Sequence, residues 1–90
     1  MSYNYATHRA AIFTEEGQVV FLKVRDQAKQ LLRTAGAFLA EDALRNIGGD
    51  SWTQLACLDR LVELREIVEV ANPCSSWGQH RLFVDPGRRP

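Results

Sequence analysis

Ninety residues, 46% of them hydrophobic and 24% charged, have the balance of one folded domain with a single modest core, which excludes a second core and a disordered composition. Eleven basic and eleven acidic residues give a formal charge of zero, so no overall field draws the chain to nucleic acid or to an anionic membrane. No apolar run approaches the roughly 20 residues that cross a bilayer, and Cys57 and Cys74, without paired spacing or a secretory leader, fit reduced thiols in a cytoplasmic protein.

Residues 1–13 are polar and aromatic at first and then run Ala10, Ala11, Ile12, Phe13, a segment expected to pack on the domain edge or extend along it, with no period that assigns regular structure. Thr14, Glu15 and Glu16 open a helix, the hydroxyl as a cap and the carboxylates facing the positive end of the helix dipole. Gly17 weakens its first turn. Val20, Phe21, Val24, Ala28, Leu31, Leu32 and Ala35 then line one face, and Gly36 suits a left-handed end, so the first helix is expected over residues 15–35.

Ala37, Phe38 and Leu39 are too few for a helix and apolar enough for a short buried strand. A second helix is expected from Ala40 to Ile47, begun by Glu41 and Asp42 and broken by Gly48-Gly49. Asp50 or Ser51 caps a third helix whose apolar side carries Leu55, Leu58, Leu61, Val62 and Leu64. It must stop near Arg65, because Ile67 to Ala71 is a β-branched run that reads as a strand. Asn72 to Gly78 is a Pro-, Ser- and Gly-bearing loop before a second strand from Gln79 to Val84, which makes a hairpin. Pro86, Gly87 and Pro90 leave residues 86–90 as a flexible tail.

The order helix, short strand, helix, turn, helix, strand, loop, strand over residues 15–85 resembles the winged helix-turn-helix superfamily. The best match is Ala43 to Val70, where the run Leu58, Leu61, Leu64 leads into a strand. The match departs at Arg65, where many winged helices carry Gly. The runs GDSWTQLACLDRLVEL and GQHRLFV are also similar to small bacterial or phage proteins of uncharacterised function. The superfamily resemblance implies an α+β fold, a three-helix winged helix over residues 14–85 with a C-terminal β-hairpin wing, and a non-enzymatic role in double-stranded DNA binding or transcriptional regulation.

In DNA-binding members the third helix enters the major groove. At about 100° per residue the leucines leave Trp52, Thr53, Ala56, Asp59, Arg60 and Glu63 on the outward arc, and Asp59 and Glu63 there would face phosphates. Arg25, Lys29 and Arg33 form a basic stripe at four-residue spacing on the first helix. With Arg60 and Arg81 they are the candidate nucleic-acid contacts, set against the blander reading of a solvated face. Trp52, Ala56 and the wing Trp77 are the candidates for the alternative function, a protein-interaction or dimerisation module that binds no DNA. Packing of Trp52 on the second helix is the bland reading of that ring. Cys57, Cys74 and His80 match no zinc spacing, and Cys57 reads as a small core residue. His8, His80, Ser51 and Ser75 form no catalytic arrangement, so no metal, cofactor or active site is expected.

Overall fold

The computed structural model describes residues 3–70 and 81–88. Two well-capped helices carry the architecture. Helix α2 spans Glu15–Ala35; the Thr14 hydroxyl accepts from the Gly17 N–H at one end, and Gly36, at φ 79°, donates its N–H to the Leu32 carbonyl at the other. Before it lies a one-turn helix α1 (Tyr5–His8) and a 3-10 turn (Arg9–Phe13). Strand β1 (Ala37–Leu39) and the one-turn helix α3 (Ala40–Ala43) follow. Helix α4 (Ser51–Glu63) is capped by the Asp50 carboxylate, which accepts from the Thr53 N–H. Strands β2 (Val68–Val70) and β3 (Leu82–Val84) and a 3-10 turn at Pro86–Arg88 complete the described residues.

The fold is α+β, with a three-stranded antiparallel sheet in the order β1-β3-β2. Phe38 pairs with Phe83 across β1 and β3, their rings stacked at 5.3 Å, while Val68 pairs with Val84 across β2 and β3. Phe83, Phe38 and Ile67 from the sheet side meet Val24, Ala28 and Leu32 of α2, Leu58 and Leu61 of α4, and Ile12 in one core. Leu31 and Leu44 pack against it while remaining partly exposed. No helix among the described residues is long and apolar enough to cross a membrane.

Several expectations are corrected. Residues 3–13, left without structure by their lack of period, form α1 and the 3-10 turn, and Ile12 is fully in the core. The second helix ends after Ala43 rather than Ile47, because the chain turns through Asn46 at φ 63°. Gln54 then ties down the connection, its side-chain amide donating to the carbonyls of Ile47 and Gly48. The strands do not form a free C-terminal wing: β3 lies between β2 and β1, and the Pro86–Arg88 turn follows where a flexible tail was expected. Strand β2 starts at Val68 rather than Ile67, and Arg81 stands just before β3, which starts at Leu82, while the expected strand residues Ala71, Gln79 and His80 lie outside the described residues. The expected loop Asn72 to Gly78 lies outside the described residues.

Arg65 explains its own departure from the glycine of the resemblance. It takes φ 62°, and the N–H groups of Arg65 and Glu66 donate to the carbonyls of Val62 and Leu61, the paired bonds that close a helix with one left-handed residue.

Candidate interaction surface

Helix α4 presents two arcs. One, through Cys57, Leu58 and Leu61, is buried against the core, and burial alone pushes the Cys57 thiol up to about 12. The other carries Trp52, Ala56, Asp59, Arg60 and Glu63, the arc that the helical period turns outward. Residues 3–13 lie across it, since α1 and the 3-10 turn both pack on α4.

The contacts on this arc run along the helix. The His8 ring meets the edge of Trp52 at 4.4 Å. Tyr3 donates its hydroxyl to Asp59, and Tyr5 donates its hydroxyl to Glu63 at 2.8 Å. Arg9 approaches the same Glu63 carboxylate at 3.6 Å. The Arg60 guanidinium lies 5.4 Å from the centre of the Phe13 ring. Ala56, in the middle of this arc, is completely buried, so its placement on an open surface is corrected. Trp52 is half-buried, with the His8 ring packed against it. The helical period assigned these residues to the right arc, but it carried no sign of their cover.

Electrostatically the arc is closed on itself. Arg60 donates to Glu63 at 2.6 Å, and this bond, with that from Tyr5, holds the Glu63 carboxyl below its ordinary value. Burial and the hydrogen bonds to Glu63 and Asp59 raise the phenols of Tyr5 and Tyr3 respectively. Arg81, from the residue before β3, reaches both Asp59 at 2.5 Å and Glu69 at 2.7 Å, with its side chain only 16% exposed. Burial opposes its charge, but the bonds to Glu69 and Asp59 outweigh that and raise its pKa.

The other basic candidates are also engaged. Arg25 and Lys29 both bond to Glu66, at 3.1 and 2.8 Å, and these contacts, Lys29 first, lower the Glu66 pKa against a smaller effect of burial. Arg33 is exposed and bonds to the Gln30 side-chain oxygen. The groove beside this stripe is lined by Lys29, Leu32, Arg33, Glu66 and Asp85, so its cations face carboxylates rather than a pure anion site. The structure thus separates the candidates: Arg60 and Arg81 belong to the α4 surface, while Arg25, Lys29 and Arg33 lie along α2. Trp77, Cys74 and His80 fall outside the described residues.

Tyr3, Tyr5, His8, Arg9 and Phe13 are surface-forming residues that sequence reasoning missed. The only signal was compositional, two tyrosines two residues apart in an otherwise polar stretch. Large apolar side chains stay exposed at Phe13 (54%), Val19 (52%), Leu22 (50%) and Leu64 (43%). Among the described residues no group of His, Cys, Asp or Glu side chains is arranged to hold a metal ion. Comparison with protein-family models, with curated proteins and with solved structures finds no match to this chain.

Proposed function

We propose that this chain is a small non-enzymatic winged-helix module that binds a protein rather than duplex DNA. The element order and the β1-β3-β2 sheet support the winged-helix part of the reading. One observation carries the choice of partner: the arc of α4 that would enter a major groove is covered by residues 3–13, and its Asp59, Arg60 and Glu63 are bonded to residues of this chain. Groove entry requires displacing that cover, and Asp59 and Glu63, still paired with Arg81 and Arg60, leave the arc without the net positive charge on which nucleic-acid affinity mainly depends. Arg25, Lys29 and Arg81 would likewise have to leave carboxylate partners. Exposed Phe13, Val19, Leu22 and Leu64 supply the apolar area that a protein contact uses.

Titration with duplex DNA at low and moderate salt tests the reading. The expected result is no binding tighter than the ~10⁻⁴ to 10⁻⁶ M of non-specific association, with a shallow salt dependence. Tighter, steeply salt-dependent binding that weakens when Arg25, Lys29 and Arg33 are neutralised would overturn it. Sedimentation over a range of concentrations tells whether the partner is a second copy.

A further inference from the structure

We infer that the outward arc of α4 is a docking face for an aromatic peptide segment carrying one positive charge, and that residues 3–9 occupy it in cis as an intramolecular ligand. This deepens the protein-binding reading by giving the partner's chemistry, and it rests on that reading.

The N-terminal stretch is held in two different ways. Residues 11–13 are built into the fold: Ile12 is in the core, its carbonyl accepts from the Gln18 side chain, and the Ala11 carbonyl accepts the Thr14 hydroxyl. Residues 3–9 are held from outside it: the Tyr3 and Tyr5 rings pack against the core while staying partly exposed, and helix α1 has no buried residue. The N–H groups of Thr7 and His8 donate to Asn4 and that of Arg9 to Tyr5, so these backbone bonds stay inside the segment. Its ties to α4 are made by side chains, through Tyr3 to Asp59, Tyr5 and Arg9 to Glu63, and His8 to Trp52. Side-chain ties without backbone pairing are the kind that another segment bearing the same groups can replace.

The surface beneath states what that segment must offer. Lifting residues 3–9 uncovers the Trp52 ring and removes hydroxyl donors from Asp59 and Glu63, while Arg60 and Arg81 stay in place on those carboxylates. Glu63 also loses the Arg9 guanidinium, the cation that the segment itself brings. A replacement therefore needs phenol or similar donors two residues apart, a flat ring for Trp52 and a single cation, the pattern of Tyr3, Tyr5, His8 and Arg9. The tether keeps the cis segment at an effective concentration on the order of millimolar, so a partner enters only by binding better than that.

The probe is a labelled synthetic peptide with the sequence of residues 3–9, read by fluorescence anisotropy against the full chain. It should bind the Tyr3→Ser/Tyr5→Ser variant at least about tenfold more tightly than wild type, because the weakened cis segment no longer competes. Adding Glu63→Gln to that variant, or replacing both peptide tyrosines by Phe, should reverse the gain. Equal affinity for wild type and variant, or no binding to a variant with wild-type circular dichroism at millimolar peptide, would falsify the proposal. Should the variant not fold, amide exchange on wild type decides. The amides of Thr7, His8 and Arg9 should exchange far faster than those of Leu58 and Leu61, whereas equal protection overturns a detachable segment. The duplex titration stays separate: a chain that takes both duplex and peptide keeps this docking face and loses the protein-only reading. One that ignores both does the reverse.

Discussion

At the residue scale, Gly17 shows a cost in the sequence that the structure turns into a requirement. A side chain there lowers the propensity penalty of a helical glycine by about 1 kcal/mol, yet its Cβ would stand 1.8 Å from the Ala11 carbonyl oxygen. The 3-10 turn crosses the first turn of α2 that closely. Gly17→Ala should therefore destabilise the chain, by about 1 to 3 kcal/mol as for an overpacked site, and urea denaturation measures it. Arg81 is the converse, a residue that composition made a phosphate contact. Its partner Asp59 lies 22 positions earlier, a distance across which no local pattern in sequence reports charge pairing. Arg81→Ala leaves Asp59, whose side chain is 18% exposed, without its cation, and should cost on the order of 2 to 3 kcal/mol in the same assay.

Two pH dependences belong to this scale. Hydrogen bonds from Arg60 and Lys29 respectively lower the carboxyls of Glu63 and Glu66 in the folded chain below the ordinary value of 4.5. Their contribution to stability is complete above that value and is lost as the pH falls through the folded values. The phenols of Tyr3 and Tyr5 are raised above 10.0, so theirs is present below pH 10.0 and is lost as the pH rises beyond it. Thermal melts across pH should show both flanks, and Tyr5→Phe should reduce the alkaline one.

At the scale of elements, legibility followed the strength of local chemistry. Helix α2 was readable to its ends because Thr14, the carboxylates and Gly36 mark them in sequence, and α4 because Asp50 caps a periodic run. Strand β1 was readable from three apolar residues between two helical patterns. The end of the second helix was not, since it is set by Asn46 in a left-handed conformation and by the Gln54 amide reaching back from α4. Neither leaves a period. A 3-10 turn also lacks the 3.6-residue repeat, which is why Ile12 went unplaced. Arg65 yields a test here: Gly accepts φ 62° without a Cβ clash, so Arg65→Gly should stabilise the α4 end by up to about 1 kcal/mol. The gain is reduced by the greater freedom of Gly in the unfolded chain. A midpoint lower than wild type in urea would show that the Arg65 side chain contributes more than its backbone costs.

For the molecule as a whole, the class of fold was legible and the surface was not. The period of α4 tells which residues avoid the leucine side, but whether that side meets solvent depends on where residues 3–13 travel, a long-range matter set by Ile12 entering the core. The candidate nucleic-acid residues Arg25, Lys29 and Arg81 stand out in sequence by charge and spacing, and their carboxylate partners emerge only when helices and strands are brought together. Charges that look available along a chain are often spent inside the folded molecule. Trp77 remains a candidate on sequence alone, outside the described residues.

The position of β3 bears on how the protein emerges during synthesis. A ribosome releases β1 first and β2 well after it, yet these strands have no bond to one another, because each pairs only with the strand between them. That strand is the last made of the three, and it also delivers Phe83 to the centre of the core. Until residue 84 clears the exit tunnel, β1 and β2 are open edges waiting for a template, and the helices close on an unfilled hollow. Nascent chains arrested before that point should be cut readily by protease, and those arrested beyond it should become resistant in one step. Gradual resistance, gained as α4 emerges, would mean that the helices fold as a unit and that the sheet is only added to them.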